Sequence, residues 1–366
     1  MNEVLDELAA RSMNVLRLFA FQDRGERPDC MLCAPADALP PGRSPVSYIH
    51  PDALLALDAT LAAADARGIR VVLTLVNNWD DFGGMNRWTL WRYGRPNHDR
   101  FYTDPSIRDW FRELLDLLVT RRNTCNGRLY RDDPTIFSWQ LANEARLESS
   151  HTDPRVLDAW IAEMSAYLKR IDPNHMVSTG LEGFYGPELA ERNTDAWMAT
   201  LGSDFIANHR HDTIDYASCH VWPQNWHWDP IGRTSSALAK ASLFISTRLH
   251  DARTILGKPL FIEEFGIPRD NHGRGPGSGS TIIRDRFFQE LFYRCCETCL
   301  QEDGACVSSA SWIIHDADSA GYDDGYGIFL PEDASTDEIM TTHAREMADL
   351  LAPRIASAPR PNRPTA

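Results

Sequence analysis

A carboxylic acid closes a short apolar stretch near the middle of the chain, and it is the first candidate for chemistry. Residues 133–146 contain an apolar run that a proline opens and that Asn143 and Glu144 close. An apolar run without alternation is typical of a strand in a parallel sheet, because both faces of such a strand are covered. The carboxyl ends of these strands are where α/β folds keep their active sites. Glu144 could therefore be catalytic, or it could cap the next helix.

A second stretch of the same design lies at residues 258–266. It is again opened by a proline, and it ends in Glu263 and Glu264 followed by an aromatic residue and a glycine. Retaining glycoside hydrolysis requires two carboxylates on one face, because one protonates the leaving oxygen while the other attacks the anomeric carbon from about 5 Å away. Glu144 and one of the two acids that end the second stretch could form this pair. Because side chains alternate along a strand, Glu263 is expected to point away from Glu264 and to be structural.

At these residues the sequence resembles glycoside hydrolase family 5. Asn143-Glu144 is similar to that family's acid/base motif, and Glu264-Phe265-Gly266 is similar to its nucleophile motif. Other stretches resemble the mannanase subgroup of the family: Asn77-Asn78-Trp79 with Gly83-Gly84, and residues 101–105, 130–135, 182–186 and 323–326. The resemblance implies a retaining hydrolase of β-1,4-mannan that works by double displacement. Hydrolysis by two carboxylates needs no cofactor and no metal.

Arg17 and Asn143 are predicted to serve the two acids. Arg17 lies in the middle of a predicted strand, where an unpaired charge is costly. We expect it to hydrogen-bond Glu264 and to lower the pKa of that acid, although it could be paired elsewhere. Asn143 would bind the substrate 2-hydroxyl, with a bond to backbone as the alternative. Glu144 is expected to be partly desolvated and held protonated.

The resemblance assigns roles to several aromatic residues and a histidine. In the family, a histidine and an aromatic placed like His220 and Trp222 orient the two carboxylates. Trp312 matches the family's aromatic sugar platform, and Trp79 is a further candidate for substrate binding. Aromatic residues in long loops could stack on sugars or form loop cores: Trp79, Phe82, Trp88, Trp91, Tyr93, Trp222, Trp226 and Trp228.

The sequence departs from the family's pattern at three positions. Trp222 stands where the family usually has a tyrosine, and its indole can donate a hydrogen bond but cannot accept one. Phe19 replaces a tryptophan, and Ala145 replaces the proline that usually follows the acid/base residue. The first two departures bear on which glycan and which linkage the protein would cleave more than on the type of reaction. A hydrolase of another β-glycan and an inactive carbohydrate-binding barrel therefore remain as alternatives.

The alternation of strands and helices predicts one α/β domain, a (β/α)₈ TIM barrel, over residues 1–351, with a disordered tail over 352–366. A doubly wound sheet is the alternative, but long loops after the strands favour the barrel. The chain opens on a helix and shows seven strands for eight helices, so we expect the first barrel strand to be missing from the chain as given. The predicted strands lie near residues 14–21, 69–76, 135–143, 176–180, 213–220, 259–264 and 307–314.

Composition narrows the classes of binding partner that the protein could have. The 366-residue chain carries a formal net charge of −15, which argues against nucleic acid or an anionic membrane as partner. We expect a monomer that acts on β-mannan and is secreted in its full-length form, although no signal peptide is visible. Cys30/Cys33 and the cluster Cys295–Cys306 could form disulfides in an oxidising compartment. Zinc is the competing interpretation of their C-x-x-C spacing.

Overall fold

The computed structural model describes residues 1–25, 29–228, 234–301, 306–316, 321 and 323–357. The parallel strands among them are β1 (Val15–Phe19), β2 (Arg70–Thr74), β3 (Ile136–Gln140), β4 (Met176–Ser178), β5 (Ala217–Val221), β6 (Leu260–Phe265), β7 (Cys306–Ser309), β8 (Ile314–His315) and β9 (Ile328–Phe329). The helices of the described part are α1 (Asn2–Ala10), α2 (Pro51–Asp65), α3 (Gly84–Tyr93), α4 (Arg100–Thr103), α5 (Pro105–Thr120), α6 (Arg155–Ile171), α7 (Phe205–His209), α8 (Thr234–Asp251), α9 (Ile282–Gln301) and α10 (Ala334–Ser357).

The strands form the wall of a barrel in chain order. One parallel sheet has the order β1-β2-β3-β4, and a second has the order β5-β6-β7. The two sheets meet between β4 and β5, where the amide of Asp215 donates to the carbonyl of Val177 at 2.9 Å. The Asp215 carboxylate accepts the Val177 amide in return at 2.6 Å. Strands β1–β7 correspond to the seven predicted strands, except that the last prediction is divided between β7 and β8.

Local sequence signals explain where the helices begin. Asp104 precedes α5, and its carboxylate accepts the amide of Ile107 at 3.1 Å, which satisfies one of the free donors at the helix start. Pro105 occupies the first turn, where its missing amide hydrogen costs nothing. Helices α3 and α4 lie inside the loop after β2 and were not predicted.

The apolar core has three parts. One lies between β1–β4 and the helices that cover them, and another lies between β5–β7 and helices α8–α10. The third lies inside the barrel, where Val72, Tyr216 and Phe261 pack together. Arg17, with 4% of its side chain exposed, and the buried Gln140 belong to the polar part of the interior. This arrangement places charged groups at the end of the barrel where the strands finish.

The predicted disordered tail is wrong at its start. Helix α10 continues to Ser357, so residues 352–357 are helical. Leucine and alanine favour the helix, and Pro353 removes one helical hydrogen bond without ending it. Residues 358–366 lie outside the described residues. Among the described helices, none is both long and apolar enough to cross a lipid bilayer.

The structure contains one of the expected disulfides. Cys30 and Cys33 are bonded to each other in the loop that follows β1. Their sulfurs are therefore not thiolate ligands for zinc. The side chains of Cys295, Cys296 and Cys299 lie outside the described part of the chain, so the second predicted group stays a prediction.

Candidate active site

The backbone around Glu144 is held by both neighbouring strands. The amide of Asn143 donates to the carbonyl of Val76 at 2.7 Å, and the amide of Glu144 donates to the carbonyl of Gly180 at 2.8 Å. Glu144 has a φ of 52°, in the left-handed region that residues other than glycine seldom adopt. Such backbone strain is concentrated at functional sites. The pairing of β3 with its neighbours therefore sets the direction of the Glu144 side chain.

Each oxygen of the buried Glu144 carboxylate has its own hydrogen-bond partner. His220 Nδ1 lies 2.7 Å from Glu144 Oε1. The indole nitrogen of Trp79 donates to Glu144 Oε2 at 2.6 Å. His220 lies near the end of β5 and is fully buried, whereas Trp79 follows β2 and is 40% exposed. The carboxylate is therefore held between the barrel interior and the open side of the site.

Glu264 lies opposite Glu144 and is paired with Arg17. The Arg17 guanidinium donates to Glu264 Oε1, to Asn143 Oδ1 at 2.7 Å, and through Nε to Gln140 Oε1 at 2.7 Å. Arg17 and Glu264 both have buried side chains. A guanidinium that spans three acceptors fixes their relative positions, because its donors form a rigid plane. Arg17 thus links the two predicted catalytic strand ends.

The two carboxylates are close enough to act on one sugar ring. His220 Nδ1, at 2.7 Å from Glu144, lies 3.4 Å from Glu264 Oε2. One ligand atom from each of Glu144, His220 and Glu264 can be chosen so that all three lie within 4.8 Å of one another. Such a set could also hold a metal ion, but the guanidinium of Arg17 beside Glu264 opposes a cation there. The spacing suits a pair of carboxylates that share one reaction centre.

Glu263 does not point away from this centre, and that prediction is wrong. Its Oε1 accepts the side-chain amide of Gln140 at 2.6 Å, and its Oε2 lies 3.8 Å from His220 Nε2. The reason is an irregular register between β5 and β6, where Cys219 pairs with Ile262 but His220 pairs with Glu264. This bulge interrupts the alternation of side chains, so both glutamates face the interior.

The charges in the free site are distributed differently from the prediction. Burial raises the pKa of Glu144, but the hydrogen bond and charge of His220, together with Arg146 and Trp79, outweigh it and lower the pKa to about 2. Burial lowers the pKa of His220, but the charge of Glu264, the hydrogen bond and charge of Glu144, and the nearby carboxylate of Glu263 raise it to about 10. These shifts favour an ionised Glu144 beside a protonated His220, whereas the sequence predicted a protonated Glu144.

The pKa of Glu264 also differs from the expectation. Burial raises its pKa, as does the charge of Glu144, and the opposing effects of His220 and Arg17 do not reverse the shift. Arg17 does oppose the rise, as predicted, but the surrounding desolvation is larger. Removing a carboxylate from water favours its neutral form, even beside a cation.

Aromatic side chains form one wall beside Glu264. The ring centroids of Trp222 and Tyr326 are 5.1 Å apart, those of Trp222 and Trp312 are 6.2 Å apart, and Phe19 lies 5.6 Å from Trp312. A Cβ on Gly266 would lie 2.9 Å from Tyr326 and 3.1 Å from Trp222, so this wall requires the glycine. Trp312 and Trp222 are thus brought together, with Trp222 largely buried and Trp312 half-buried.

Comparison with known proteins identifies the family. The family described as "GH family 5 beta-mannosidase-like" matches residues 1–318. Mannan endo-1,4-beta-mannosidase 1 of Arabidopsis thaliana is 32% identical over 356 residues, covering 96% of this chain and 82% of the relative. Mannan endo-1,4-beta-mannosidase 1 of Solanum lycopersicum is 33% identical over 354 residues, covering 95% and 82%. The solved structure of the endo-1,4-beta-mannanase from Rhizomucor miehei has a TM-score of 0.76 at 27% identity, covering 95% of this chain and 90% of that chain.

The chain belongs to glycoside hydrolase family 5. The predicted resemblance, the barrel and the glycoside hydrolase class are thereby confirmed. The residue roles remain predictions, although the structure brings together all of the residues that the family motifs indicated. It places Arg17, Asn143, Glu144, His220, Glu264, Trp79, Trp222 and Trp312 around one site.

Four of the loop aromatics in this family 5 chain belong to the core. Trp88 and Trp91 are fully buried in α3, and Trp226 and Trp228 are buried in the loop after β5. They pack against other aromatic rings and are not available to a polysaccharide. Trp79 and Phe82, in contrast, are exposed in the loop after β2.

Sequence reasoning missed an ion pair beside Glu144 in this family 5 chain. The Arg146 guanidinium makes two hydrogen bonds with the carboxylate of Glu182 and lies 5.0 Å from the ring centroid of Trp79. Burial raises the pKa of Glu182 to about 7, with the charge of Glu144 adding to the rise and Arg146 opposing it. Both charged residues lie just after predicted strands, and that position was the signal that could have found them.

Proposed function

We propose that the protein is a retaining glycoside hydrolase that cleaves β-1,4-mannosidic bonds of mannan-type polysaccharides. Glu144 would be the acid/base residue and Glu264 the nucleophile. The approach of the two carboxylates to within 4.8 Å carries this proposal. Retaining enzymes hold the two acids about 5 Å apart, whereas inverting enzymes leave roughly 6.5–9.5 Å for a water molecule. The names of the relatives, which are mannan endo-1,4-beta-mannosidases, support the substrate.

In the first step, a carboxylate oxygen of Glu264 attacks the anomeric carbon, and the bond from that carbon to the departing sugar oxygen breaks. Glu144 gives a proton to the departing oxygen. In the proposed mechanism His220, whose Nδ1 lies 2.7 Å from Glu144 Oε1, supplies this proton to Glu144. As Glu264 becomes an ester it loses its negative charge, which is the first of the effects that hold the proton on His220. The proton is then released toward Glu144 when the leaving group needs it.

The second step returns the site to its starting state. Glu144, now ionised, accepts a proton from water while the water oxygen attacks the anomeric carbon. The ester bond to Glu264 breaks, and the sugar leaves with its original anomeric configuration. The proton taken from water restores the shared proton of Glu144 and His220. No redox partner and no cofactor takes part in either step.

Substrate binding follows from the surrounding groups. Asn143, whose amide donates to Asn77 at 3.0 Å and accepts from Arg17, is held to contact the sugar 2-hydroxyl. Trp312 would stack on the sugar that Glu264 attacks, and Trp79 would contact the departing sugar beside Glu144. An open site with exposed aromatic residues favours attack within a polymer, as the relatives' names also indicate.

The decisive experiment measures reducing-sugar release from linear β-1,4-mannan, with cellulose as the competing glycan. We expect release from mannan, and we expect Glu264→Gln and Glu144→Gln to lower kcat by at least about 10²-fold. The first product observed by NMR should be the β-anomer. Release from cellulose at a higher rate would overturn the substrate, and an α-anomer would overturn the retaining mechanism. Circular dichroism confirms that each variant is folded.

We also propose secretion. The Cys30–Cys33 disulfide supports it, because structural disulfides persist in oxidising compartments. Mannan is a polysaccharide, and a secreted enzyme would meet it outside the cell. Fractionation of cells that express the full-length protein tests this, and retention of all activity in the cytosol would contradict it.

A further inference from the structure

A closed ring of five side chains includes Glu264, one of the two predicted catalytic acids. It runs from Arg17 to Glu264, then to His220 and Glu263, and returns through Gln140 to Arg17. The residues come from β1, β3, β5 and β6, so four strands contribute to the ring. The mechanism above uses three of them. Glu263 has no part in that mechanism, although it is buried at the centre of the barrel.

The contact between His220 and Glu263 leaves two polar atoms facing each other. Their separation of 3.8 Å suits an ion pair but is too long for a hydrogen bond. Among the described residues, His220 Nε2 and Glu263 Oε2 are buried atoms that no hydrogen bond satisfies. Leaving such atoms unsatisfied is costly, and the cost is smallest when the two carry opposite charges. The geometry therefore favours a protonated Nε2 facing an ionised Glu263.

The other atoms of the two side chains are already engaged. Glu263 Oε1 accepts the amide of Gln140 at 2.6 Å, and that same amide donates to Ser178 at 3.0 Å. The Gln140 oxygen accepts from Arg17 and Thr74, so its orientation is determined by four contacts. Because Gln140 cannot turn, its amide fixes the position of Glu263. The other imidazole nitrogen of His220, Nδ1, contacts Glu144.

We propose that Glu263 is a positioning residue for the hydrolytic reaction, which holds His220 as an imidazolium so that its Nδ1–H serves Glu144. Glu263, His220 and Glu144 then form a chain from the barrel interior to the glycosidic oxygen. The proposal rests on the proposed roles of Glu144 and Glu264. Glu263 does not touch the substrate, and its effect passes through His220.

The surrounding charges are consistent with this role. The titratable and charged groups linked to His220 or Glu263, directly or through one neighbour, are Glu144, Glu182, Glu264, Arg17, Arg146, Tyr216 and Cys219. With a charged His220, the centre has three cations, His220 and the two arginines. They face four carboxyl groups, so one further proton shared among these carboxyl groups makes the centre neutral. Without the charge on His220, the four carboxyl groups would face two cations and the buried centre would carry excess negative charge.

The test is the pH dependence of kcat/KM for linear mannan in Glu263→Gln. Removing the buried negative charge of Glu263 favours deprotonation of His220. The basic limb of the kcat/KM profile should therefore move to lower pH by about one unit. Glu263→Asp keeps the charge and should retain the basic limb of the unaltered protein. Asp251→Asn is the matched control, because Asp251 is also a buried carboxylate with one unsatisfied oxygen, at the end of α8. This control should leave both limbs in place.

A spectroscopic measurement keeps the proposal testable if Glu263→Gln does not fold. In the unaltered protein with ¹⁵N-labelled histidine, the ring of His220 should remain protonated on both nitrogens at pH 8. Its resonances are assigned by their loss in His220→Asn. A neutral ring at pH 8, or unchanged limbs in a folded Glu263→Gln, would overturn the proposal. Substantial activity in Glu264→Gln would instead overturn the proposed catalytic pair, so the two failures are distinguishable.

Discussion

At the scale of single residues, the carboxylate of Glu144 receives one hydrogen bond from an exposed indole and another from a buried imidazole. The two groups contact different oxygens, so the carboxylate cannot turn without losing a partner. In the proposed mechanism the imidazole supplies a proton, whereas the indole only orients the carboxylate. Orientation and proton supply would thus be divided between Trp79 and His220.

Two substitutions of Trp79 distinguish its hydrogen bond to Glu144 from its proposed contact with the sugar. We expect Trp79→Phe to lower kcat/KM about tenfold, because a hydrogen bond to a charged group contributes roughly 1.5–3 kcal/mol. Trp79→Ala should in addition raise KM, since the planar ring is lost. Initial rates on linear mannan oligosaccharides check both. Equal KM values for the two variants would show that Trp79 does not contact the sugar.

The raised pKa of Glu264 predicts the acid limb of the activity profile. As the proposed nucleophile, Glu264 must be ionised, and burial raises its pKa above the usual 4.5. Activity should therefore fall, as the pH is lowered, through a kcat/KM midpoint above pH 4.5. The profile is measured alongside circular dichroism at each pH to separate titration from unfolding. A midpoint below 4.5 in the folded protein would show that Arg17 outweighs burial.

At the scale of elements, the end of β3 is positioned by the turn after β4. Gly180 has a φ of 75°, and its carbonyl accepts the amide of Glu144. A Cβ at this position would lie 1.9 Å from the carbonyl oxygen of Ala142, just before the catalytic motif. The glycine therefore permits a close backbone approach that fixes the direction of Glu144.

Alanine at this position should damage both stability and activity. We expect Gly180→Ala to lower the free energy of unfolding by about 3 kcal/mol, from backbone strain and from the clash. Gly68→Ala is the control, because Gly68 has a similar φ of 71° but nothing within 4 Å of the added Cβ. It should cost about 1 kcal/mol and leave kcat unchanged. Urea unfolding compares the two, and equal losses would contradict the role of the close contact.

At the scale of the whole molecule, the described surface carries large apolar side chains at scattered positions. Leu55, Leu243, Ile255 and Ile282 are exposed and lie on different helices or beside them. Single exposed apolar residues are ordinary on a protein surface and do not by themselves indicate an interface. The net charge of −15 further opposes association between copies.

The protein is therefore expected to be a monomer in solution. Light scattering after size exclusion should give a mass of about 41.4 kDa at low salt, where charge repulsion is least screened. The same mass is expected at high salt, where charge repulsion between copies is screened. A mass near twice this value at either salt concentration would contradict the prediction.

The sequence by itself determined the order of strands and helices and the two strand ends that carry Glu144 and Glu264. Periodicity, helix caps and apolar runs are local properties, so they can be read without knowing which strands are neighbours. The position of Arg17 in mid-strand likewise indicated a charge that needed a partner inside the barrel. These signals, together with the family motifs, were sufficient for the fold and for the members of the site.

Only the tertiary structure decided which side Glu263 faces and which groups shift the pKa of Glu144. The bulge between β5 and β6 depends on pairing between residues more than 40 positions apart, so alternation along β6 alone predicted the wrong side. The ionisation of Glu144 depends on His220, which reaches it from β5. Burial of Trp88 and Trp91 depends on the packing of α3. These properties arise from contacts between distant segments, which no local pattern specifies.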